Sequence, residues 1–169
     1  MPSFTKKAIM ESFLHLMEKK PLEKITVRDL VDECGINRNT FYYYFQDIYA
    51  VLEEYCELAL AALSKEKCPQ SLILSLFELA RAFTASHPRA AKMMAFSLGY
   101  EGLERYFGAR FDSVLQACIR QAKATLPSEC TLRFVRHAVI GLCLDIMRAD
   151  KGTAVTDEEL SPILQAVFA

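Results

Sequence analysis

Between Thr26 and Phe45 the chain reads T-V-R-D-L-V-D-E-C-G-I-N-R-N-T-F-Y-Y-Y-F, and few folds accommodate that order of residues. Thr26 precedes an apolar-periodic run of Val27, Leu30, Val31 and Cys34 and has Asp29 three residues on, the arrangement of a capping box at a helix N-terminus. A helix therefore begins near Val27. Gly35 follows where a residue of positive φ stops that helix, and Asn37 stands where the next one needs an N-cap. The intervening turn is about three residues long, which makes the pair a helix-turn-helix.

In the second helix Ile36, Phe41 and Phe45 pack inward, while Arg38, Asn39, Thr40, Tyr42, Tyr43 and Tyr44 are left facing largely outward. Residues 34–46 contain no Asp or Glu, so nothing there repels a phosphate backbone. A duplex major groove admits one α-helix, whose N-terminal residues reach base edges while hydroxyls, amides and Arg bind phosphates. The competing reading is a helical hairpin with an aromatic packing face, which leaves the coincidence of cap, glycine turn and acid-free polar helix unexplained. The candidate DNA contacts are Thr26, Arg28, Asn37, Arg38, Asn39, Thr40, Tyr42, Tyr43 and Tyr44. Among them Thr26 suits a phosphate, Arg28, Arg38, Asn39 and Thr40 suit base edges, and Tyr42 and Tyr44 suit sugar-phosphate or thymine methyls.

Residues 9 to about 52 resemble the DNA-binding domain of the tetracycline-repressor (TetR) family of bacterial transcription regulators, at Thr26, Val27, Leu30, Val31, Cys34, Gly35, Ile36, Thr40, Phe41, Tyr42, Tyr44 and Phe45. The resemblance covers roughly the first third of the chain. It implies a homodimer on a palindromic double-stranded operator, and a C-terminal domain that dimerises and takes a small-molecule effector. Two positions depart from the family pattern: Pro21 replaces a Gly after the first helix, and Ile48 replaces a phosphate-contacting Lys. A weaker resemblance, in short length and in the run Phe41 to Ile48, is to the subgroup containing the dihydroxyacetone-kinase operon regulator, some of whose members activate with a partner protein.

A net charge of −1 would not by itself suggest nucleic acid. Lys6, Lys7, Lys19, Lys20, Lys24, Arg28 and Arg38 offset seven acids within the first fifty residues, so a basic footprint must be a local face. The chain is 169 residues long, 52% apolar and 24% charged, which suits one or two folded domains. The six cysteines show no metal spacing, so neither a metal nor a cofactor is expected, and they read mainly as small buried hydrophobes with reduced thiols. No signal peptide or membrane-length apolar run is visible, which suggests a cytoplasmic protein.

The expected fold is all-α: a three-helix DNA-binding domain with the helix-turn-helix over residues 1–48, then a helical effector-binding and dimerisation domain over 49–169. The first helix starts at Ser3 or Thr5 and ends before Pro21, and a longer helix runs from Asp47 to about Ser64 and bridges the two parts. Further helices are predicted at about 70–86, 88–98, 100–125, 129–149 and 157–168, punctuated by Pro69, Pro88, Pro127, Gly152 and Pro162. The run Ala138 to Leu144 is apolar on every side and must be covered on every side, by the monomer or by a second copy. The dimer reading nominates Ala138, Gly141, Leu142, Asp145, Ile163 and Val167. Phe77, Phe83, His87, Met93, Phe96, Tyr100, Phe107, Phe111 and His137 are candidate lining for an effector pocket, with plain core as their other reading. No catalytic motif is visible, so an enzyme is disfavoured. The remaining rival is a helix-turn-helix co-activator or protein-interaction module acting with a partner protein.

Overall fold

Helix α1, Phe4–Met17, buries Ile9, Phe13, Leu16 and Met17 on the face that their spacing predicts. The computed structural model describes residues 4–148 and 155–168, so Ser3 and Gly152 lie outside the described residues. Pro21 opens a short 3-10 turn, Leu22–Lys24, that drops Leu22 and Ile25 into the core at 2% exposure each. There follow α2, Val27–Cys34, α3, Arg38–Tyr44, and the longer α4, Ile48–Ala62, which a 3-10 turn, Leu63–Lys65, brings to an end. The rest consists of α5, Pro69–Ser86, α6, Pro88–Leu103, α7, Ala109–Gln121, α8, Glu129–Arg148, and α9, Asp157–Val167. No strand occurs among the described residues.

One predicted division and one departure from the predicted boundaries trace to single residues. Gly99 sits inside α6 at φ 57° and ψ −162°, a conformation open essentially to glycine alone, and it kinks the helix where the sequence divides 88–98 from 100–125. The stretch predicted as one helix over 100–125 is instead the end of α6, a π turn at Glu104–Gly108 and then α7. It stops at Gln121, because Lys123 takes the left-handed φ of 55°.

Two apolar clusters hold the molecule. One joins α1, α2, α3 and the start of α4 to Ala90, Ala91, Met94 and Ala95 of α6 and to Ile140, Leu144 and Met147 of α8. The other fills the space among the end of α4, α5, α7, α8 and α9. The N-terminal helices are also pinned to the body by polar contacts. Glu18 Oε1 accepts from Ala90 N at 3.0 Å, Tyr55 Oη donates to Met10 O at 2.6 Å, and Lys6 pairs with Glu54 at 2.7 Å. Arg136 of α8 ties the π turn to α7, since Nη1 donates to Asp112 Oδ2 and Nε lies 3.0 Å from Glu104 Oε1.

Candidate functional site

The hairpin is built by local chemistry. Asp29 N donates to Thr26 Oγ1 at 3.2 Å, while Thr26 N and Oγ1 donate to Asp29 Oδ2 at 2.8 and 2.6 Å, closing the capping box. Lys20 Nζ stands 2.7 Å from the same carboxylate. Its hydrogen bond, with those of Thr26, holds Asp29 well below the usual carboxylate range. At the other end Gly35 adopts φ 71° and ψ 29°, its N–H bonds Val31 O, and Ile36 N reaches the same carbonyl at 3.1 Å, the six-to-one bond of a Schellman motif. Asn37 Oδ1 then caps α3 by accepting from Thr40 N at 2.8 Å and Thr40 Oγ1 at 3.1 Å. A hydrogen bond between His15 and Glu33 braces α1 against α2 and lowers the Glu33 carboxyl.

That frame decides which side chains face out. Phe41 is 0% and Phe45 4% exposed, and Ile36 packs against the same cluster. Tyr43 is 81% and Tyr42 54% exposed, Arg38 and Asn39 are exposed, and Tyr44 and Thr40 are half-buried. Thr26, Arg28 and Asn37 are exposed on the same hairpin, with Arg28 partly engaged by Asp32 at 3.7 Å. Because the Thr26 and Thr40 hydroxyls and the Asn37 oxygen already serve the caps, the side chains left to meet a duplex are chiefly Arg38, Asn39, Tyr42 and Tyr43. At the position of the family's lysine, Ile48 packs against the core, and Asp47 caps α4 by accepting from Ala50 N at 2.9 Å.

A second feature lies in the body. An apolar cavity of about 390 Å³ is lined by Leu52, Tyr55, Cys56, Leu58, Ala59 and Ala62 of α4, by Leu76, Leu79, Ala80 and Phe83 of α5, and by Met94, Leu103, Phe107, Ile140, Cys143 and Met147. Of the pocket residues nominated from sequence, Phe83 and Phe107 are on this wall. Phe77 and Phe111 are closed in the core at 1% and 0% exposure, and Phe96 is 69% exposed beside Arg148. Met93 packs on the first cluster, and His87 joins α5 to α6 with its ring 5.5 Å from Phe83. Tyr100 and His137 meet each other, hydrogen-bonded and with ring centroids 5.6 Å apart, away from the cavity wall. Sequence reasoning missed the α4 contribution: Leu52, Tyr55 and Ala59 share a helix face, but small residues such as Ala59, Ala62 and Ala80 do not announce a vacancy.

Residues 9–55 match the family model described as bacterial regulatory proteins, tetR family. The chain carries a TetR-family domain at its N-terminus. Its fold extends the likeness to nearly the whole length. The dihydroxyacetone kinase operon activator DhaS superposes with a TM-score of 0.67 at 22% identity, over 98% of this chain and 96% of that one. A TetR transcriptional regulator from Streptococcus agalactiae 2603V gives 0.62 at 22% identity over 98% and 94%, and one from Rhodococcus sp. RHA1 gives 0.61 at 16% over 96% and 95%. Among curated proteins none matches. These neighbours are regulators by name, and at 16 to 22% identity the likeness to them is one of fold.

Outside its TetR-family head the chain leaves one face of α8 uncovered. Val135, Val139, Ile140 and Leu144 are buried, whereas Phe134 is 63% exposed, Ala138 and Asp145 are exposed, and Gly141 and Leu142 are half-buried. Ile163 on α9 is 57% exposed and Val167 half-buried against the second cluster. Nothing lies within 4 Å of where a Gly141 Cβ would stand. The cysteines are less buried than expected: Cys118 is buried, Cys130 exposed and the other four intermediate, and all six are free thiols. Among the described residues no group of three or more His, Cys, Asp or Glu could hold a metal, and no helix is long and apolar enough to cross a membrane.

Proposed function

We propose that the chain is a cytoplasmic transcription repressor that binds a palindromic operator as a homodimer and releases it when a small molecule occupies the body. Residues 1–48 form the reading domain and 49–169 the effector-binding and dimerisation domain. The observation that carries this reading is the acid-free outer face of α3, held rigid by caps at both ends of the hairpin and presenting Arg38, Asn39, Tyr42 and Tyr43. In this division of labour Arg38 and Asn39 read base edges, with Arg28 beside them, and the tyrosines position the helix on sugar and phosphate. Fluorescence anisotropy against DNA flanking the gene tests it. Arg38→Ala is expected to cost about 1 to 3 kcal/mol on the specific duplex and to relax the preference at one base pair, while Tyr42→Ala weakens every duplex alike. Equal losses for both variants on specific and scrambled DNA would sink the assignment.

The dimer reading draws on the α8 and α9 face, where Phe134 and Ile163 stand open to solvent and Gly141 permits close backbone approach. A two-fold dimer sets two reading helices about 34 to 36 Å apart, one turn of the duplex. Gly141→Arg has room in a single protomer, so its fold and thermal midpoint should survive while light scattering reports half the native mass and operator affinity drops by more than about tenfold. A variant that keeps the dimeric mass places the interface elsewhere. A second reading has one observation in its favour, the likeness in fold to a protein named as an operon activator. In it the same head recruits a partner protein and raises transcription, and a reporter fused to the bound promoter separates the two signs.

A further inference from the structure

The cavity between α4 and α5 has a wall chemistry that selects its ligand. Its floor is built from buried hydrocarbon, Leu52, Leu76, Ile140 and Met147 among them, each at most 6% exposed, and it opens to solvent past Leu58 and Leu79, both 37% exposed. Among the described residues no Lys, Arg, His, Asp or Glu contributes to the lining. The only hydroxyl that the described residues bring to the lining, that of Tyr55, already gives its proton to the Met10 carbonyl at 2.6 Å. Cys56 and Cys143 supply thiols that burial pushes up to about 12, so they remain neutral and weak as donors.

We propose that this cavity binds an uncharged, predominantly apolar small molecule, such as a fused-ring aromatic, a terpenoid or a medium-chain alcohol, and rejects carboxylates, phosphates and ammonium compounds. The inference rests on the effector reading above for its regulatory meaning, but the selectivity follows from the wall alone. An ion entering here would shed water and meet no opposite charge and no uncommitted strong donor, which costs several kcal/mol. An apolar guest gains about 25 cal/mol for each Å² it removes from water. At interior packing density about 390 Å³ holds roughly 13 to 18 non-hydrogen atoms, the range of a small ligand and too little for an inserted protein helix.

Two fluorescent probes that share a skeleton and differ by one sulfonate provide the test: N-phenylnaphthylamine, which is neutral, and anilinonaphthalene sulfonate, which is anionic. The full-length protein should bind the neutral probe saturably, one per chain, and the anionic one at least about tenfold more weakly. Ala59→Trp, which fills the cavity, should abolish the neutral signal. Leu79→Arg, at the half-open mouth, should keep the fold and narrow or reverse the preference by giving the sulfonate a partner. Comparable affinity for both probes at a competing site, or neutral-probe binding that both variants leave untouched, overturns the proposal. Because these titrations contain no DNA, they are independent of the regulator reading. Saturating neutral probe that leaves operator affinity unchanged would refute the effector role while the ligand class stands, and so would a protein that binds the probe but no operator.

Discussion

Phe41→Ala is expected to lower the stability of the protein by about 3 to 5 kcal/mol and to abolish specific DNA binding with it. Phe41 is the one fully buried side chain of α3, at 0% exposure, with its ring 5.9 Å from Phe45 and 5.5 Å from Tyr42. A helix of seven residues has no stability of its own in water. It stands because Asn37 caps one end and because Phe41 is driven into the cluster made by α1, α2 and the start of α4. Deleting the ring leaves a cavity under the only helix that presents Arg38 and Tyr43. Urea unfolding of Phe41→Ala beside Tyr43→Ala checks the assignment. The second residue is 81% exposed, so its variant should stay within about 0.5 kcal/mol of the native protein. A loss below about 1 kcal/mol for Phe41→Ala would mean that the helix is seated by something other than this ring.

What could be read in the sequence was what local chemistry decides. The Thr26 and Asp29 box, the left-handed Gly35 and the Asn37 cap are complete within a few residues, so their geometry is implicit in their order. The division between 88–98 and 100–125 falls at Gly99, whose left-handed φ kinks α6 there. The π turn at Glu104–Gly108 and the early stop of α7 were not legible, because no glycine or proline marks the turn's start and the left-handed Lys123 is a residue type that gives no sign of a positive φ. The nominated pocket residues show the same limit. Phe77 and Phe111 have the composition of a ligand wall and are simply core, while Tyr55 and Ala59 enclose space because of what α5 and α8 leave unfilled. Tyr100 and His137 do meet across 37 residues, yet beside a different network.

That network supports the second large effect. Arg136 has two carboxylate partners, Asp112 of α7 and Glu104 of the π turn. Its Nε is close to Glu104 without hydrogen-bond alignment, and Asp112 Oδ1 is buried without a partner, so the site depends on charge attraction through one guanidinium. The side chains are only 18%, 23% and 31% exposed, which limits screening by water. Arg136→Met removes the cation, keeps most of the volume and leaves two carboxylates facing each other. The expected cost is about 3 kcal/mol, the low end for a broken buried pair because some solvent reaches each group. Adding Asp112→Leu should recover most of it, since the loss comes from the stranded charge and not from a missing contact. A double variant as unstable as the single one would assign Arg136 a packing role instead. The same guanidinium fixes the turn that carries Phe107 to the cavity wall, directly after Leu103 of α6. Arg136→Met should therefore also weaken binding of the neutral probe, and Asp112→Leu should restore the probe and the stability together.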